Sequence, residues 1–251
     1  MRSVSQTAQT RFEKVKLEQA LSGTSAIALS WHGVLFDRHR REIHAAIRST
    51  FAHWGVDLLE AELITSRGPT GRAQIARLLS TARIAERFRS VHHHWATETE
   101  IELMERDLEP RLLAAAEAAR TPNADACDAI RRLHARGIRT AVIACIPRRL
   151  IQPQLDALAA AGVPLDAVVT ADEACDPAPA PWGIFEVVRQ LGLTDASTLA
   201  LIDDCPDGAT AARNAGARSI GLQSEGAAPL VADATIRELS EVASGENGSK
   251  A

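Results

Sequence analysis

The 251-residue chain contains no tyrosine, and aromatic residues make up only 4% of it. Platforms for stacking nucleic-acid bases are therefore scarce. There is no long basic run, and the formal net charge is −4. Both features argue against nucleic acid as a partner. Lysine is absent from the whole stretch between Lys16 and Lys250. No amine nucleophile can be supplied from that stretch, whatever its fold. The four cysteines, Cys127, Cys145, Cys175 and Cys205, lie far apart with no CxxC pair, which disfavours a zinc site of ordinary spacing. No apolar run reaches transmembrane length and no secretory leader is recognisable. The expectation is a cytoplasmic protein with reduced thiols, without membrane or nucleic-acid partners.

Hydrophobic residues make up 46% of the chain, so it is not a disordered polymer. Its length suits one α/β domain, or a core with a smaller insert. Residues 1–24 are polar with a short helical pattern (Phe12, Val15, Leu17, Leu21) and read as an appended arm. "AIALS" is a buried strand. From about Arg41 to Ala119 the pattern is almost wholly helical. "REIHAAIRSTFAHWG" ends at Gly55, and Thr97 is a candidate cap for the long helix that follows it. Beyond "TPNAD", strands alternate with helices. That order implies right-handed crossovers and a parallel sheet. The expected organisation is an arm (1–24), an α/β core (25–40 and 120–243), a helical cap (41–119) inserted after the first strand, and a polar tail (244–251). His92, His93 and His94 are consecutive. Neighbours on a helix point about 100° apart, so packing or solvation suits them better than one shared metal.

Ligands of a doubly wound sheet bind at the carboxyl ends of its strands. Here those ends read Ser30-Trp31-His32-Gly33, Ala144-Cys145-Ile146-Pro147, Asp176-Pro177-Ala178 and Asp203-Asp204-Cys205-Pro206-Asp207. Only the last is richly acidic. Clustered carboxylates repel unless a cation or hydrogen bonds compensate, and oxygen-only ligands suit Mg²⁺. Asp204, with Asp203 and Asp207, is thus the candidate metal group. The plainer reading makes Asp207 a helix cap and Asp203 a solvated acid. Ser30 and His32 are candidates for nucleophile and base, with Asp204 as orienting group. Cys145 is a candidate thiol nucleophile, although a cysteine after a buried strand is usually packing. Cys205, beside two acids, is a poor thiolate.

The order strand, helical cap, sheet resembles the haloacid dehalogenase-like (HAD) superfamily, and within it phosphonoacetaldehyde hydrolase, or phosphonatase. The resemblance covers residues 25–242. It rests on "SWHGVLFD" against a DxAGTxxD opening, on "LHARGIRTAVI", "VVTADE" and "PAPWGIFEVVRQLGL", and most specifically on "LIDDCPDGATAARNAGARSIGL". It implies a Rossmann-like parallel sheet and Mg²⁺-dependent attack by an aspartate on phosphorus. It also implies a Ser/Thr hydroxyl and a Lys/Arg gripping the phosphoryl group, and a cap lysine forming a Schiff base. Members pair through cap helices.

At each chemical position this sequence departs. Ser30 stands at the nucleophile, His32 two residues on, Ala144 at the hydroxyl, Ala178 at the cation, Gly208 at the second acid of the fourth motif, and Gly71 at the Schiff-base lysine. Gly33 and Asp37 keep the turn, and Asp204 keeps the first acid. Arg72 or Arg148 is the candidate substitute for the lost cation. The implied protein is phosphonatase-like but without its inherited chemistry. It would be a binding, regulatory or partner subunit, with room for a small ligand, with Mg²⁺ weakened or absent, and as a homodimer or a heterodimer with an active relative. The competing expectation is a divergent hydrolase or lyase using His32, Asp204 and Cys145.

Overall fold

The computed structural model describes residues 4–66, 70–174, 176–223 and 229–243. Cys175, the tail from residue 244 and the side chain of Asp37 therefore lie outside the described residues. The elements are α1 (Val4–Leu21), β1 (Ala26–Ser30), α2 (Asp37–His53), α3 (Glu60–Thr65), α4 (Arg72–Leu79), α5 (Ala82–His92), α6 (Glu98–Ala118), α7 (Ala124–Ala135), β2 (Arg139–Ile143), α8 (Arg148–Ala160), β3 (Ala167–Val169), α9 (Trp182–Gln190), β4 (Leu199–Asp203), α10 (Pro206–Ala215), β5 (Arg218–Leu222), β6 (Ala234–Ile236) and α11 (Ser240–Ala243).

The six strands form one parallel sheet in the order β3-β2-β1-β4-β5-β6. "AIALS" and "LALID" are buried through their first four residues, as strands covered by helices on both faces must be. The chain leaves β1 toward β2 and β3, then returns to its other side for β4. The crevice at this reversal lies between the ends of β1 and β4. Leu29 pairs with Ile202, so Ser30 and Asp203 end neighbouring strands.

Helices α2 to α6 fill the interval between β1 and β2. Within it α2 and α4 pack on α6, and α6 in turn packs on α8 beside the sheet. Helix α2 begins at Asp37, earlier than the pattern from Arg41 suggested. The reason is the loop before it. Phe36 is buried against Trp31 (ring centroids 4.8 Å apart), and its amide donates back to the Trp31 carbonyl at 2.9 Å. The chain is thereby turned into the helix at once. Trp31 Nε1 donates to Gln154 Oε1, whose amide group donates to the Ala119 carbonyl, both at 2.9 Å. This buried ladder ties the β1 loop to α8 and to the end of α6.

The proposed arm is more than an appendage. Leu17 and Ala20 are buried in the main core, with Leu21 against it, and α1 packs on β5 and β6. Residues 17, 20 and 21 share one helical face. Phe12 and Val15 do not belong to it and are exposed. The histidine triplet closes α5. His92 stacks on Phe88 and its Nε2 lies 2.9 Å from the Trp54 carbonyl, while His93 takes the left-handed conformation that ends the helix. No helix among the described residues is long and apolar enough to cross a membrane.

Candidate functional site

Two adjoining cavities open at the strand ends, with volumes of about 70 and 200 Å³. Ser30, Cys145, Ala178 and Asp203 line both. Thr70, one residue before Gly71, also lines both and brings the insert over the mouth.

The smaller cavity has a charged wall. Arg40, on the first turn of α2, grips Asp204 with both terminal nitrogens: Nη1 donates to Oδ2 and Nη2 to Oδ1, the latter at 2.7 Å. Nη2 also donates to the His32 carbonyl at 2.9 Å. The Arg40 and Asp204 side chains are 18% and 10% exposed, so this is a largely buried bidentate pair. Burial works against the charge on Arg40, but the bonds and charge of Asp204, then the charge of Asp203, raise its pKa overall. Gly33 makes the pair possible. Its φ is +84°, and a side-chain carbon there would collide with both Asp204 Oδ2 and Arg40 Nη2.

Asp203 lies half-buried beside this pair, with Oδ1 accepting from the Cys205 amide at 3.0 Å. Burial first, and the charge of Asp204 second, push its carboxyl up to about 7. Gly208 leaves room for Asp203, since any Cβ there would overlap its Oδ2. Asp207 lies in the first turn of α10, where Cys205 is the capping residue, and faces Arg77 at 3.9 Å. The thiols are poorly suited to attack. Burial, then Asp203, raises Cys145 to about 11, and the same two causes raise Cys205.

Ser30, His32 and Asp204 share the corner but form no triad. Ser30 Oγ reaches only the His32 carbonyl, at a long 3.5 Å. Asp204 is taken by Arg40. The Nε2 of His32 has no hydrogen-bond partner among the described residues. His39, fully buried 5.0 Å away, has none for either ring nitrogen. Burial, then His39 and Arg40, holds His32 well below the ordinary histidine pKa, and burial lowers His39 to about 4. Arg72 and Arg148 do not reach the site. Arg72 bonds Glu98 at 2.5 Å, and Arg148 bonds the Val168 carbonyl at 2.7 Å and Glu173 at 3.0 Å.

The sequence reading missed Arg40 and His39. "RHRR" looks like the solvated start of a helix, and nothing local marks Arg40 as buried. The available signal was the acidic end of β4, which needs a compensating cation from somewhere.

A profile of haloacid dehalogenase-like hydrolases matches residues 25–216. The chain belongs to this family. Among curated HAD-like relatives, phosphonoacetaldehyde hydrolase of Nitratidesulfovibrio vulgaris is 26% identical over 197 residues, covering 78% of this chain and 70% of that protein. The same enzyme of Bordetella pertussis is 28% identical over 201 residues, covering 78% and 71%. A solved phosphonoacetaldehyde hydrolase-like protein from Oleispira antarctica superposes with a TM-score of 0.77 at 20% identity, over 81% of this chain and 74% of that one. CbbY of Rhodobacter sphaeroides, solved with phosphate, gives 0.63 at 22%, over 87% and 96%. These structural likenesses bear on the fold.

The HAD-like family implies Mg²⁺, and the residues present do not fit it. Both oxygens of Asp204 are held by Arg40. Ser30, at the end of β1, carries no carboxylate. Among the described residues no group of three or more His, Cys, Asp or Glu is placed to hold a metal.

Proposed function

We propose that this phosphonatase-like HAD protein has lost phosphoaspartate and Schiff-base chemistry and works as a ligand-binding, regulatory or partner subunit. The observation that carries the reading is the bidentate Arg40–Asp204 pair. It places a fixed guanidinium on the acid that would otherwise serve a metal. Ser30, Ala144, Ala178 and Gly71 support it at the remaining positions. Loss of one charge-stabilising group at a reacting centre costs about 10²–10³ in rate, and loss of a covalent nucleophile more. Such losses taken together leave little of the ancestral reaction, even without additivity.

The relatives' substrate is the natural probe. Purified protein is expected to turn over neither phosphonoacetaldehyde nor p-nitrophenyl phosphate, with or without Mg²⁺. Mg²⁺-dependent turnover abolished by Asp204→Ala would overturn the reading. The double variant Ser30→Asp with Ala178→Lys is expected to recover little activity, because Arg40 still holds Asp204 and Ala144 and Gly208 remain. The divergent-enzyme reading finds less support, since His32 is not oriented by Asp204 and Cys145 is held as a thiol. The proposal includes a cytoplasmic setting and pairing through the cap, as a homodimer or with an active relative. Light scattering on the protein alone, and mixed with such a relative, tests the pairing.

A further inference from the structure

The larger cavity differs from the charged corner beside it. Its wall is built from Ala144, Ala174, Ala178 and Ala211 together with Ile143 and Leu201. Two of these alanines stand where phosphoryl-gripping side chains were expected. Among its described lining residues none is Lys, Arg or His, whereas Asp203 and Asp176 both border it. Arg40 borders only the smaller cavity, and its charge is matched by Asp204. An anion entering here would meet methyl groups and carboxylates, with no free cation among the described lining residues. Burying an uncompensated charge is among the costliest events in a protein interior. An ammonium group would lose its water to the same methyl-lined wall, and one of the two Asp203 carboxyl oxygens is already taken by the Cys205 amide.

An uncharged apolar body pays no such penalty. At about 200 Å³ the space exceeds the ~150 Å³ apolar cavity known to admit benzene. At one end Ser30 Oγ is held only by its long contact to the His32 carbonyl. It is therefore available to a ligand oxygen, with Asp203 beside it as an acceptor.

We infer that this cavity is a binding site for a compact, uncharged, largely apolar molecule bearing one hydroxyl or carbonyl oxygen, held with that oxygen toward Ser30 and Asp203. This selectivity is the reverse of a phosphoryl site. It rests on the reading above that the protein binds rather than hydrolyses.

Three matched probes test it: benzyl alcohol, benzylphosphonate and benzylamine, titrated calorimetrically into the full chain at neutral pH. Benzyl alcohol is expected to bind saturably at one site and at least ~tenfold more tightly than either charged partner. Ala73→Leu, at the exposed rim on α4, and Ala178→Leu, deeper in, are each expected to weaken benzyl alcohol by at least ~tenfold by filling the space. Ala73→Leu keeps the test valid if the deeper change harms folding. Equal or tighter binding of benzylphosphonate or benzylamine overturns the inference, as does binding of benzyl alcohol unaltered in a folded Ala73→Leu variant. Absence of binding by all three also overturns it. None of these outcomes bears on the proposed loss of hydrolysis, which is tested separately by turnover of phosphonoacetaldehyde and p-nitrophenyl phosphate.

Discussion

The charged corner and the methyl-lined cavity lie side by side at the ends of the same strands, yet they meet the cost of burial in opposite ways. At the corner acids are present and are compensated: Arg40 pairs with Asp204, and the Asp203 carboxyl is pushed up to about 7. In the cavity alanines line the wall and leave open space. The difference follows from burial costs. A buried carboxylate must be paired or protonated, whereas a methyl group leaves nothing to satisfy.

The comparison breaks most visibly if the pair is split. Arg40→Ala should destabilise the protein by about 3 kcal/mol in urea denaturation, because it leaves Asp204 mostly buried and unpaired beside Asp203. Replacing both partners with Arg40→Met and Asp204→Leu should recover most of that loss. A single variant as stable as the parent would show the pair to be solvated. Gly33→Ala comes next, at about 2 kcal/mol, through the left-handed φ and the collision with the pair.

Titration separates the buried groups by sign. Asp203 takes its proton near 7 in the fold but near 3.8 when unfolded. The folded state therefore binds the extra proton between those values. This contribution is complete below about 3.8 and is lost as pH rises through about 7. Asp203→Asn should remove a decline on the order of 2 kcal/mol between about pH 5 and pH 8. His39 acts the other way. Its folded value of about 4 lies below 6.5, so the unfolded chain binds the proton first, and stability is lost as pH falls through that interval. His39→Leu should flatten this acid limb, by on the order of 2 kcal/mol between about pH 7 and pH 5, and relieve two unpartnered nitrogens. Unchanged pH profiles in both variants would mean these groups titrate normally.

The smallest effects belong to the arginines outside the site. Arg72→Ala and Arg148→Ala should each cost at most about 1 kcal/mol, since their pairs are well exposed. Either one should leave benzyl alcohol binding as it was. A marked loss would return that arginine to the cavity.

The scaffold was largely legible in the sequence. The buried run "AIALS", the positive-φ Gly55 after its helix, and Thr97 at the cap of the long helix all stand where the residue pattern placed them. Each depends on neighbours within a turn or two of chain. The role of α1 was less legible, because one helical face of Leu17, Ala20 and Leu21 says nothing of the sheet it will cover.

The sequence by itself also determined what this protein lacks. Lysine is absent between residues 16 and 250, and Ser30, Ala144 and Ala178 carry no carboxylate, hydroxyl and ammonium respectively. No folding can restore an atom that is not there. Only the tertiary structure decided what the retained atoms do. Arg40 and Asp204 are 164 positions apart, and neither one's local pattern names the other. Their pairing arises because the loop after β1 turns at Gly33 and Phe36, delivering the first turn of α2 to the end of β4.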